Sequence, residues 1–179
     1  MEFLQSGQVA DIVGFRLPRY HELPNIDLYM DQVILLIESH LKPLFTQEDK
    51  SFITSTMVSN YVKQGVVSPP VKKKYTKTHL AYLMVVCIFK QIFSISQICD
   101  LIHRQIDTYP MDIAYDYFCE ELEKALGEVF SVPGENHAQS LASQVTPESE
   151  LVRKTAIAFA NYIYVRTYLN YLAQAKDSD

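Results

Sequence analysis

The sequence predicts an all-α protein with, at most, a small two-stranded wing between Val66 and Tyr75. Three observations carry this. Glycine and proline are sparse, at 5 and 8 of 179 residues, so few positions break a helix. No short window alternates apolar and polar residues between hairpin-spaced turns. Helix-start residues recur: Thr54, Thr76, Ser94 and Thr146 each stand just before a run of apolar residues at helical spacing. An apolar fraction of 48% is enough for a real core, and the length points to one domain with an extension.

Residues 2–14 are expected to form a short helix. Phe15 to Pro24 is expected to be extended, held by Pro18 and Pro24, so that 1–24 makes an N-terminal arm. Asn25 can cap a helix from Ile26 to about His40, with Leu28, Met30, Val33, Ile34, Ile37 and Leu41 on its core face. Thr46 to Asp49 resembles a capping start inside the loop that follows.

Thr54 then caps a short helix, because its hydroxyl can accept a bond from an amide of the first turn. Met57, Val58, Tyr61 and Val62 form its apolar face; Ser55, Thr56, Ser59, Asn60 and Lys63 lie largely opposite. Gly65 suits the left-handed position that ends a helix, and Pro69 and Pro70 prevent further helix. Lys72, Lys73, Lys74 and Lys77 follow. Thr76 caps a helix to about Gln91 whose centre, Ala81 to Phe89, is apolar all round and therefore buried. It is too short for a bilayer, which takes about 20 apolar residues. Ser94 and Gln97 form a capping box for a helix striped by Ile95, Ile98, Cys99, Leu101 and Ile102.

Asp112 to about Phe130 has the pattern of an acidic amphipathic helix, with Ile113, Tyr117, Leu122, Leu126 and Val129 on its apolar side. Ser131 to Thr146 is a loop by composition. Thr146 caps a last helix, with Pro147 in its first position, running to about Ala175. Val152, Ala156, Phe159, Ile163, Arg166 and Leu169 mark one side of it, and Tyr164, Tyr168 and Tyr171 a second, aromatic ridge. Apolar character on two sides of a long terminal helix predicts a homodimer through the C-terminal helices.

Charge is distributed unevenly. The net charge is −5, yet Lys50 to Cys99 holds seven lysines and no acid, while Gln105 to Glu150 holds ten acids and one lysine, Lys124. Three adjacent lysines repel one another and seldom serve a core. They form a solvated turn or a phosphate contact. The small polar face of Thr56, Ser59 and Asn60 is by itself first a solvated helix face. Beside this concentration of positive charge it becomes a candidate for reading base edges.

The order of short helix, turn, basic loop and long apolar helix suggests a winged helix-turn-helix. Ile53, Thr54, Tyr61, Gly65-Val66-Val67-Ser68-Pro69, the basic loop, Tyr75, Leu80, Leu83, Ile88, Lys90, Phe93-Ser94-Ile95 and Ile98 together resemble the DNA-binding domain of MerR-type regulators. The resemblance covers about 50 residues and implies a reading helix over 55–64 and a wing over 72–77. It departs in three respects. Ser59 and Asn60 replace the expected arginine and aromatic residue, about a dozen residues separate the first helix from the reading helix, and the wing is short. A second likeness covers roughly Leu17 to Glu120. Leu17-Pro18-Arg19-Tyr20, Leu23-Pro24, Asp27 to Val33, Asn60 to Lys63 and Pro70 to Tyr75 resemble the bacterial family called domain of unknown function 1836.

The expected organisation is an arm (1–24), a MerR-like winged helix-turn-helix (25–104) and an acidic C-terminal helical extension (105–179). The expected DNA-binding residues are Thr54, Thr56, Ser59, Asn60, Lys63, Lys72, Lys73, Lys74, Tyr75 and Lys77, and the partner is double-stranded DNA. Two other readings stay open. One is a protein-interaction module that keeps the fold without reading DNA. The other is a small-ligand sensor with a pocket lined by Tyr115, Phe118, Phe159 and Tyr162. No glycine loop for a nucleotide, zinc spacing or nucleophile-base pair is present, so no enzyme activity and no cofactor is expected. Cys99 and His103 stand four apart on one helix, and Asp27 and Asp31 on another. Both pairs have a commonplace surface reading, and no metal is expected. The N-terminus lacks a secretion signal, and three cysteines are an odd number. A cytoplasmic protein with reduced thiols, away from membranes, is expected.

Overall fold

The computed structural model describes residues 2–45, 51–131 and 145–176. Seven α-helices stand among them: α1 (Gly7–Val13), α2 (Met30–Leu41), α3 (Ser55–Lys63), α4 (Lys77–Phe89), α5 (Ile95–Ile106), α6 (Met111–Val129) and α7 (Pro147–Lys176). One two-stranded antiparallel sheet joins β1 (Leu28–Tyr29) to β2 (Lys74–Tyr75). The protein is all-α apart from that pair. No helix among the described residues is long and apolar enough to cross a membrane.

The chain divides into two compact units, Leu17–Asp116 and the combination of Met1–Arg16 with Tyr117–Asp179. The first is built around α4. Leu80, Ala81, Leu83, Met84, Val86, Cys87 and Ile88 are all fully buried, as a helix without a polar face must be. Each large side chain among them contributes on the order of 1.5–3 kcal/mol by leaving water. Helix α2 packs on α4 through Val33, Ile37 and Leu41, and α3 and α5 add Val58, Tyr61, Ile98 and Ile102. Burial pushes the Cys87 thiol up to about 12, so it packs as a small apolar group. The two ends of the unit are tied together. The Tyr20 amide donates to Asp116 Oδ1 at 2.6 Å, and the Tyr115 hydroxyl donates to Met84 Sδ at 3.2 Å.

The second unit has its core on α6 and α7, where Phe118, Cys119, Leu122, Leu126, Phe130, Val152, Ala156, Phe159, Ala160 and Ile163 are buried. Helix α7 starts with a reciprocal cap: Ser149 N donates to Thr146 Oγ1 at 3.1 Å and Thr146 N to Ser149 Oγ at 2.9 Å. The tyrosine ridge of α7 faces its own chain. Phe3, in a 3₁₀ turn over Glu2–Gln5, lies 5.5 Å from Tyr164, 5.0 Å from Tyr168 and 5.6 Å from Tyr171 between ring centroids, and Phe130 closes the cluster.

Three local expectations are corrected. The first long helix begins at Met30 and not at Ile26, because Leu28 and Tyr29 are drawn into strand pairing with Tyr75 and Lys74. Asp27 therefore precedes that helix and shares no face with Asp31. The arm contains a 3₁₀ turn at Tyr20–Glu22, closed by the Glu22 carboxylate on the Arg19 amide (2.7 Å), where an extended chain is expected. The sheet is also not internal to the wing: its second strand comes from the residues before α2. The expected capping start at 46–49 and most of the loop at 131–146 lie outside the described residues.

Candidate nucleic-acid interface

The expected reading helix forms as its sequence dictates. Thr54 Oγ1 accepts from Met57 N at 3.2 Å, so the cap satisfies an amide that has no partner inside the helix. At the other end Gly65 takes a φ of +74°. Gly65 N donates to Val62 O and Val66 N to Tyr61 O, each at 3.0 Å. This paired closure requires a left-handed residue, which glycine adopts without a Cβ penalty. Val58 and Tyr61 point into the core and fix the rotation of α3. Its outer side is then Ser55, Thr56, Ser59, Asn60 and Lys63, all exposed. Lys90 holds Tyr61 from the α4 end, its ammonium 5.9 Å from the ring centroid and 3.8 Å from Met57 Sδ.

The wing is a two-residue hairpin. Val71 N donates to Lys74 O at 3.1 Å and Lys74 N to Val71 O at 2.9 Å, with Lys72 and Lys73 between them at φ +50° and +64°. Positive φ at both central residues is the type I′ requirement, met most cheaply by Asn-Gly. Here two lysines adopt it, at about 1–2 kcal/mol per residue. Lys72 and Lys73 are exposed and make no ion pair among the described residues. Lys74 Nζ lies over the Tyr29 ring at 5.3 Å, and Lys77 Nζ over the Tyr20 ring at 4.9 Å.

Tyr75 does not belong to the surface. It is 4% exposed, pairs with Leu28, and stands edge-on to His79 at 5.5 Å. Burial raises its hydroxyl pKa. It anchors the wing from below. His79 is the hub of that anchor: Thr76 N donates to Nδ1 at 3.0 Å, and Ser68 Oγ lies 3.1 Å from Nε2. Thr54 is half-buried and caps α3. The outward residues of the expected set are therefore Thr56, Ser59, Asn60 and Lys63 on α3, with Lys72 and Lys73 on the wing.

One residue escaped the sequence reading. Tyr29 lies 45 positions before Lys74 yet pairs with it, and at 56% exposure it widens the wing with an aromatic face. The only sequence signal was an aromatic residue on the polar side of a strand too short to show alternation.

The other chemical candidates resolve into ordinary roles. Cys99 is half-buried and His103 exposed on α5, and no group of three or more metal-ligating side chains exists among the described residues. Of the aromatics considered for a ligand pocket, Tyr115 belongs to the unit Leu17–Asp116 and the other three to the second unit. Phe118 and Phe159 are core residues there, and Tyr162 is partly exposed.

The family described as "Domain of unknown function (DUF1836)" matches residues 18–118. The chain belongs to this DUF1836 family. The matched stretch coincides almost residue for residue with the compact unit Leu17–Asp116. The DUF1836 domain is therefore the part that carries α3, the wing and Tyr29. No curated protein and no solved structure matches the chain.

Proposed function

We propose that the DUF1836 domain of this chain is a MerR-like winged helix-turn-helix that binds double-stranded DNA as a transcriptional regulator in the cytoplasm and has no catalytic activity. Thr56, Ser59, Asn60 and Lys63 face the major groove, and Lys72, Lys73 and Lys77 hold phosphates from the wing. The observation that carries this reading is where the wing lysines stand. Lys77 opens α4 at the positive end of its dipole, where a cation is destabilising. Lys72 and Lys73 occupy left-handed backbone in the hairpin just before it. A bound polyanion offsets both costs, since each lysine on a phosphate releases counterions. The Ser, Thr and Asn side chains of α3 carry donors and acceptors suited to base edges and phosphate oxygens.

A second reading has its own observation. Ile26, Tyr29 and Val71 are large, exposed and apolar, on the segment leading into β1, on β1 itself and at the hairpin, which suits a protein partner. Titrating labelled random-sequence duplex DNA with the protein, followed by fluorescence anisotropy at two salt concentrations, separates the two. DNA binding through the three phosphates held by Lys72, Lys73 and Lys77 gives a log–log salt slope of about −2.7 and is lost in a Lys72→Glu/Lys73→Glu variant. Affinity that ignores salt, or survives the variant, rejects the DNA reading and favours the protein partner.

A further inference from the structure

The outer side of α7 carries a pattern that the described residues leave exposed. Leu151, Ala158, Tyr162, Val165, Leu169 and Leu172 are all exposed, and their spacings of seven, four, three, four and three residues average the 3.5 of a coiled-coil seam. This side lies away from the core face of Val152, Ala156, Phe159, Ala160 and Ile163. It is also distinct from the tyrosine ridge, which the chain's own Phe3 engages.

We infer that this seam pairs with the same seam of a second copy of the chain, forming a two-helix coiled coil between protomers. The periodicity names the kind of partner: from Ala158 to Leu172 the stripe keeps the alternating four- and three-residue spacing that stays in register along another helix, while the position between Leu151 and Ala158, Thr155, is buried in the chain's own core. Charge permits a copy of itself. From Leu151 to Leu172 the helix has no acid and three bases. Glu150 bridges both Arg153 at 3.1 Å and Lys154 at 3.3 Å, and Arg166 lies over the Tyr162 ring at 5.4 Å. One carboxylate offsets one of these three positive charges, so two such faces pair only with their residual positive charge at the flanks, screened by salt. The stripe runs roughly 30 Å along the helix, and a pair that covered it completely would bury at most about 1,000 Å², the floor for a specific interface.

The inference stands independently of DNA binding. Sedimentation velocity of the full chain, across a concentration series, reads it directly. Wild type is expected at twice the mass of one chain. Val165→Glu/Leu169→Glu is expected at the mass of one chain, with an unchanged circular-dichroism spectrum, because both positions already face water at 56% and 59% exposure. Tyr171→Ala, on the ridge, is expected to remain dimeric, as is Lys72→Glu/Lys73→Glu on the wing. A monomeric wild type, or a dimeric Val165→Glu/Leu169→Glu variant, overturns the inference. A folded but monomeric Tyr171→Ala variant also overturns it by moving the contact to the ridge.

Discussion

Lys74 lies over the ring of Tyr29, 5.3 Å from its centroid, across the antiparallel pair that joins the start of α2 to the base of the wing. The contact holds together two segments that are far apart in sequence, and it sets the direction of the hairpin that carries Lys72 and Lys73. Removing the ring deletes a cation–π contact and a cross-strand pair, each worth about 0.5–1 kcal/mol. Tyr29→Ala is therefore expected to lower the unfolding free energy by about 1 kcal/mol in urea titration, and Tyr29→Phe to leave it nearly unchanged. Equal losses from both variants would assign the effect to the hydroxyl and refute the ring contact.

The two left-handed lysines make stability and binding pull in opposite directions. Lys72→Asn/Lys73→Gly places the preferred type I′ residues in the turn. Relieved strain, less the added freedom of glycine in the unfolded chain, is expected to raise stability by about 1 kcal/mol. The same variant loses two phosphate contacts, so its DNA salt slope is expected to flatten by about 1.8. Thermal unfolding and anisotropy on the same preparation check both halves.

His40, near the end of α2, has its pKa lowered by burial. The unfolded chain therefore binds a proton at a higher pH than the folded one does. Stability from this group is fully present above the ordinary histidine pKa of about 6.5 and is lost as pH falls through the lower folded value. His40→Gln is expected to reduce the drop in melting temperature between neutral and mildly acidic pH. An identical drop in the variant rules out His40 as its source.

Glu121 is 2% exposed on α6, and its Oε1 has no hydrogen-bond partner among the described residues. A buried carboxylate oxygen without a donor costs about 1–3 kcal/mol. Glu121→Met keeps the side-chain length and removes that cost. The expected result is an increase of about 1–2 kcal/mol in chemical denaturation. A decrease would show that the carboxylate is needed where it stands.

Much of the fold could be read in the sequence because helix ends are written locally. Thr54, Gly65, Ser94, Thr146 and Pro147 act on amides and carbonyls within one turn of themselves, and the structure has helix ends at each. The apolar run in α4 announced its burial for a similar reason: a helix with no polar side has no face to give to water. The candidate interface was only partly readable. The lysines and the polar face of α3 stand in the sequence, but nothing local distinguishes Tyr75, which is buried, from Tyr29, which is exposed.

The sequence by itself determined where α3, α4, α5 and α7 begin, which helix is the core of the DUF1836 domain, and where positive charge collects. Those properties follow from capping, periodicity and composition, which act over a few residues. Only the tertiary structure decided that Leu28 and Tyr29 form a strand, that Tyr75 turns inward, and that the tyrosine ridge of α7 is met by Phe3. Each depends on a partner dozens or more than a hundred residues away, and strand pairing or aromatic contact at that separation leaves no mark on the spacing of neighbouring residues.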